Sequence, residues 1–190
     1  ENGDKSNDLE ADPNDPKAFQ GGDLTGVTKR LDYIKDEGFT SIWLTPIFKN
    51  RPNGYHGYWT DDYYEIDPHF GTKEEFKTLV EEAHKRDLKV VLDLVVNHLG
   101  PNHPLVKEKP DWFHEEQTIM NWNNQAEVEN NWLFDLPDFN TENKEVVKYL
   151  IDVANYWVDE TGIDGYRLDT VRHVPPAFWK TFIPAVKKEH

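Results

Sequence analysis

The sequence predicts an α/β fold built on a parallel sheet. Short apolar runs alternate with amphipathic helical patterns, each run is apolar on both faces, and a glycine separates helix from strand at two of the junctions. Strands alternating with helices in this way imply parallel pairing through right-handed crossovers.

The elements follow in order. Residues 24 to 37 place Leu24, Val27, Leu31 and Ile34 at helical spacing and stop at Gly38, before the strand-like run TSIWLTPIF. Thr72 and Glu75 form a capping-box pattern ahead of Phe76, Leu79, Val80 and Ala83, after which LKVVLDLVVNH reads as a buried strand. Residues 143 to 160 carry Val147, Leu150, Ile151, Ala154 and Trp157 on one helical face, and Gly162 ends that helix before the strand DGYRLD. PPAFWKTFIPAVKKEH reads as a fourth helix opened by Pro175 or Pro176. One connection breaks the rhythm: Leu99 to Asn140, rich in Asn, Pro, His and Trp, separates the second strand from its helix. A connection of that size is usually functional or a small subdomain.

Composition narrows the chemistry. A chain of 190 residues, 37% hydrophobic, can bury one ordinary core. Its formal charge of −15 repels phosphate backbones and anionic lipid, which argues against nucleic acid or membrane partners and leaves neutral ligands and cations. Without cysteine there is no disulfide or thiolate chemistry. No apolar run approaches the ~20 residues that span a bilayer, and the polar start ENGDKSND is no signal peptide.

Residues two apart on a strand share a face, so Arg167 and Asp169 must be neighbours. A guanidinium favours the ionised form of an adjacent acid, as a carboxylate nucleophile needs, although a structural ion pair would give the same pattern. Asp93 lies within VVLDLVV, where an unpaired charge would cost several kcal/mol; Arg167 on the next strand is the expected partner, making an inward network of Asp93, Arg167 and Asp169. Asn97 and His98 then fall at the carboxyl end of that strand, where ligands bind in parallel α/β sheets, or form a solvated turn. NGYHGYWTDDYYEIDPHFGT mixes aromatic rings with glycines and carboxylates, as a sugar-holding loop or as core. Asn2, Asp4, Asn7 and Asp8, with Gly21 and Asp23 of the GGD stretch, offer hard oxygen donors that suit calcium, or simply an acidic tail.

Together these stretches resemble the α-amylase family of glycoside hydrolases, family 13, over nearly the whole chain. DLVVNH (93 to 98) is similar to the family's strand-three motif, LPDFN (136 to 140) to its calcium-loop motif, GIDGYRLDTVRH (162 to 173) to its strand-four motif, and GYHGYW (54 to 59) adds a fourth match. The resemblance implies a partial TIM (β/α)8 barrel, strands two to four with flanking helices. Residues 1–98 would form its first part, 99–140 a B domain projecting after strand three, and 141–190 the continuation of the barrel. It implies Asp169 as catalytic nucleophile and Arg167 as the residue orienting it. His98, Tyr58, His56 and Trp59 would contact the reacting sugar. Arg172 and His173 would contact the leaving side, with Arg172 standing where the family has Lys, so that aglycone preference is open. Asn97, Asp138 and the backbone carbonyl of His173 would hold Ca2+, and Asn2, Asp4, Asn7, Asp8, Gly21 and Asp23 match a second calcium site of bacterial amylases and cyclodextrin glucanotransferases.

The implied activity is retaining hydrolysis of α-1,4-glucosidic bonds in starch and maltooligosaccharides. The general-acid glutamate and a second aspartate lie on strands that this segment does not contain, so the segment alone is expected to be inactive and to need the remainder of the barrel. Secretion is the implied location, with any export signal outside these residues. Neopullulanase, cyclomaltodextrinase, cyclodextrin glucanotransferase and α-glucosidase stay open within the family, although LPDFN favours amylase proper. A non-catalytic amylase-like binding protein is the rival of another class, against which Asp169 and Arg167 argue; a self-contained three-stranded domain is the third option.

Overall fold

The computed structural model describes residues 11–189. The Asp23 carboxylate caps α1 (Leu24–Lys29) by accepting the Gly26 N–H at 2.6 Å, and α2 (Leu31–Asp36) follows at once. The single helix expected over 24 to 37 is therefore two. Arg30 leaves helical backbone at φ −106°, ψ 5°, and its N–H turns to the Val27 carbonyl, while Leu24 and Leu31 still reach the same core. Gly38 at φ +86° ends α2, as its position in the sequence required.

Only the first half of TSIWLTPIF becomes β1 (Ser41–Leu44). After Pro46, which has no N–H for a ladder, Phe48 starts β2 (Phe48–Asn50), which pairs antiparallel with β3 (Thr60–Ile66). Part of the expected aromatic loop is thus a strand, and its Tyr63 is fully buried core. α3 (Lys73–His84) begins with the capping box read from Thr72 and Glu75: Thr72 Oγ1 accepts the Glu75 N–H at 3.2 Å and Glu75 Oε2 accepts the Thr72 N–H at 2.7 Å. The helix buries Phe76, Leu79, Val80 and Ala83 and delivers the chain into β4 (Lys89–Leu94).

The excursion from residue 99 to residue 140 holds α4 (Leu105–Glu108), a 3-10 turn (Pro110–Trp112) and α5 (Gln125–Asn130). Isolated bridges, His98 with Asp138 and Phe113 with Phe139, tie it to the end of β4. α6 (Lys144–Thr161) is capped by the Asn143 side chain and closed by Gly162 at φ +72°. Its buried stripe is Val146, Leu150, Val153, Ala154 and Trp157; Val147 and Ile151, expected inside, are only partly buried because the stripe is centred one residue earlier. β5 (Gly165–Leu168), a 3-10 turn (Val171–His173) and α7 (Pro176–Glu189), with Pro176 as its first residue, complete the described chain.

The main sheet has the order β1-β4-β5, all parallel. β4 is central and almost wholly buried, as its sequence required, whereas β1 and β5 are partly covered. Trp157 anchors α6 against the β2–β3 sheet and α3: its ring meets Phe48 at 5.5 Å and Phe76 at 6.1 Å between centroids, and its Nε1 donates to the Tyr63 carbonyl at 2.7 Å.

Two variants separate ring from hydrogen bond. Trp157→Phe should lower stability by about 1–3 kcal/mol by stranding a buried acceptor, and Trp157→Ala by about 3–5 kcal/mol through the added cavity. Urea unfolding midpoints check this; equal losses would show that the ring fills no space that matters.

Candidate active site

Strand register assembles the site. Asp93 of β4 stands opposite Arg167 of β5, and alternation puts Asp169 on the same face two residues later. Arg167 Nη1 donates to Asp93 Oδ1 at 3.2 Å, to Asp93 Oδ2 at 3.0 Å and to Asp169 Oδ1 at 2.5 Å, so one nitrogen links both carboxylates. This is the inward network read from the sequence. Asp93 is fully buried, and Oδ2 takes two further donors, Tyr58 Oη at 3.0 Å and Trp43 Nε1 at 3.1 Å. Burial pushes its carboxyl up; the Tyr58, Arg167 and Trp43 contacts pull the other way. Burial, then the Asp93 contact, pushes the Tyr58 phenol up to about 12, which keeps it a donor.

Asp169 lies just past β5, and its N–H still donates a ladder bond to the Leu94 carbonyl at 3.1 Å. Thr170 then adopts φ +50°, a left-handed conformation rare outside glycine, and turns the chain away. The carboxylate is left at the carboxyl ends of β4 and β5, 18% exposed and gripped from one side.

The end of β4 is braced from β3, where the Tyr63 hydroxyl donates to the Val95 carbonyl at 2.5 Å. His98 is buried beyond it: Nε2 meets the Tyr58 carbonyl at 3.2 Å, and Nδ1 meets the Asn97 side-chain amide at 3.1 Å. Burial drives its imidazole down to about 4, so it is neutral near pH 7. The Asp169 charge nudges both the His98 imidazole and the Tyr58 phenol upward. His56 Nδ1 accepts the Tyr58 N–H at 3.0 Å and its ring stands edge-on to Trp59 at 4.8 Å. This turn needs Gly57, at φ +87°, where a Cβ would come within 2.5 Å of the Pro46 carbonyl oxygen.

Arg172 and His173 do something the sequence did not disclose: they dock the turn after β5 onto the excursion. Arg172 Nη2 donates to the Trp122 carbonyl at 2.5 Å, the Arg172 carbonyl accepts Gln125 Nε2 at 2.9 Å, and the His173 ring lies 5.8 Å from that of Trp122.

At the other side of His98, the Phe139 N–H donates to the Asn97 carbonyl at 2.9 Å, which brings Asn97 beside Asp138, whose Oδ2 takes His114 Nδ1 at 2.6 Å. Burial pushes the Asp138 carboxyl up to about 7, and its Oδ1 is buried without a hydrogen-bond partner. An orphaned carboxylate oxygen beside an amide is a donor set that fits a hard cation such as calcium. Among the described residues no three His, Cys, Asp or Glu side chains cluster as metal ligands, so an ion here would draw on amide and backbone oxygens as well. Of the second set, Asn2, Asp4, Asn7 and Asp8 lie outside the described residues, Gly21 has φ +85°, and Asp23 places Oδ1 on the α1 cap.

Three participants escaped sequence reading. Trp43 looks like any apolar strand residue until register sets it below Asp93, Tyr63 is hidden among neighbouring tyrosines, and His114 lies in an irregular segment with no periodicity to orient it.

Comparison with known proteins gives a consistent result. The family described as "Alpha amylase, catalytic domain" matches residues 1–188. A solved α-amylase from Anoxybacillus is 60% identical with a TM-score of 0.97, covering 99% of this chain and 42% of its own. One from Geobacillus thermoleovorans, solved with acarbose, is 59% identical with a TM-score of 0.93, covering 96% of this chain and 41% of its own. An intracellular maltogenic amylase of Bacillus subtilis is 44% identical over 92% of this chain, which spans only 31% of that relative's length.

Replacing Arg167 by Leu should leave a buried Asp93 carboxylate with two neutral donors. We expect a loss of ~3 kcal/mol, toward the low end for a broken buried pair because Arg167 is itself 37% exposed. Without the guanidinium, the folded-state pKa of Asp93 rises further above its unfolded value of about 3.9, so the native state holds a proton that the unfolded chain releases. The loss should therefore be smallest below about pH 4 and grow as pH rises through that folded value. Denaturation midpoints against pH check it, and Arg167→Leu combined with Asp93→Leu should recover much of the loss.

Proposed function

Because the chain belongs to the α-amylase catalytic-domain family of glycoside hydrolases, and is a partial TIM barrel, we propose that it carries the nucleophile of a retaining α-amylase acting on starch and maltooligosaccharides. The observation that carries this reading is the Asp169 carboxylate, held at 2.5 Å by Arg167 at the strand ends, with the buried, neutral His98 past the end of β4. In this reading a carboxylate oxygen of Asp169 bonds to the anomeric carbon as the glycosidic C–O bond breaks. A carboxylic acid from a strand outside these residues protonates the departing oxygen, and water later releases the sugar with retained configuration. Tyr58, His56, Trp59 and His98 would shape the pocket for the reacting glucose, and Arg172 and His173 the leaving side.

Calcium belongs to the same proposal. Asn97, Asp138 and the His173 carbonyl would hold it, and its positive charge would satisfy the orphaned Asp138 oxygen and tie the excursion to the barrel. Secretion is proposed with it, since polymeric starch is met outside cells; a relative named intracellular makes cell fractionation the deciding measurement.

A second reading, a maltogenic or cyclodextrin-cleaving specificity, is favoured by the 44% identical maltogenic relative. The acarbose-bound α-amylase at 59% identity favours the first.

Asp169→Asn in the complete protein should reduce turnover by several orders of magnitude while leaving maltooligosaccharide binding intact; retained turnover would sink the nucleophile assignment. Chelation should lower the thermal midpoint, and Asp138→Asn should abolish that dependence on added calcium. Product analysis on starch, pullulan and cyclodextrin separates the two specificities.

A further inference from the structure

Arg167 is held at its hydrogen-bonding edge by Asp93 and Asp169, and both contacts use Nη1 alone. Both carboxylates are thus held through a single amino group of the guanidinium. The Arg167 Cζ lies over the ring of Trp43, 4.9 Å from its centroid. The indole is itself fixed, because its Nε1 donates to Asp93 Oδ2 at 3.1 Å. Trp43 thus touches both members of the buried pair: the carboxylate through its N–H and the cation through its π face.

Strand register makes this contact possible. Trp43 of β1 pairs with Val91 of β4, two residues before Asp93, and Val91 pairs with Gly165, two residues before Arg167. Trp43, Asp93 and Arg167 therefore face the same side in successive layers, with the indole as the floor of the site. The contact also spans the sheet, from β1 on one edge to β5 on the other.

We propose that Trp43 is a positioning residue for the reaction: its ring face sets the plane of the Arg167 guanidinium, and so the point at which Nη1 holds Asp169 for attack. In this role Trp43 acts through Arg167. A guanidinium over an aromatic face is attracted by the ring quadrupole, here at an indole 56% exposed. The inference rests on the reading of Asp169 as nucleophile.

The test uses the complete protein with a soluble maltooligosaccharide, measuring kcat and KM separately, with urea midpoints to confirm folding. Trp43→Leu, which removes the π face, should lower kcat about tenfold or more with KM within about twofold, because ground-state sugar binding does not involve Arg167's orientation. Trp43→Phe, which keeps an aromatic face without the N–H, should restore kcat to within about threefold of the parent. A kcat for Trp43→Leu within twofold of the parent overturns the proposal, as does a loss confined to KM, or Trp43→Phe as slow as Trp43→Leu. Asp169→Asn assayed alongside keeps the two claims apart. If it turns over, the nucleophile reading falls; if it is dead while Trp43→Leu is unimpaired, only the role of Trp43 falls.

Discussion

A carboxylate in the middle of a buried strand is the constraint on which the rest depends. Asp93 sits on the central strand of the sheet with no solvent access, where an uncompensated charge would outweigh any single packing gain. Its compensation comes from three other segments: Trp43 of β1, Tyr58 of the turn before β3, and Arg167 of β5. Each donor fixes where its own segment can lie. The Arg167 that neutralises Asp93 is then held so that its same nitrogen reaches Asp169, and the structural requirement becomes a chemical one at the strand end.

The surroundings of Asp169 follow the same logic of a dry interior with few, well-directed polar groups. Burial keeps His98 neutral, with its N–H committed to the Tyr58 carbonyl, so it is not a second cation competing with Arg167. Tyr58, with its phenol well above the ordinary range, stays a donor to Asp93 across the working pH of any ordinary enzyme. Arg167 is accordingly the fixed positive charge in contact with Asp169, and its position carries the electrostatics of the site.

Much of this was legible in the sequence where periodicity or chemistry forced the answer. The capping box at Thr72 and Glu75, the stop at Gly162, the parallel pairing and the Asp93–Arg167–Asp169 network each follow from a rule with little freedom. What was not legible depended on breaks in regularity. Arg30 splits a helix whose spacing gives no warning, and Pro46 diverts an apolar run into a second sheet. Trp43 joins the site through register between strands distant in sequence, and the pairing of His114 with Asp138 is set within an irregular excursion. Periodicity speaks to faces within one element; it is silent on which layer of the neighbouring element a side chain will meet.

The separation of Asp93 from its cation has a temporal meaning. Arg167 lies 74 residues further along the chain, and Trp43 lies 50 residues earlier. A polypeptide emerging amino terminus first can bring β1 against β4 long before β5 is made, but at that stage the seam encloses a bare negative charge. Water must keep access to Asp93 until the guanidinium is synthesised and the crossover through α6 closes. β5 is thus the strand that seals this seam, and nascent chains halted before residue 167 should remain open at Asp93.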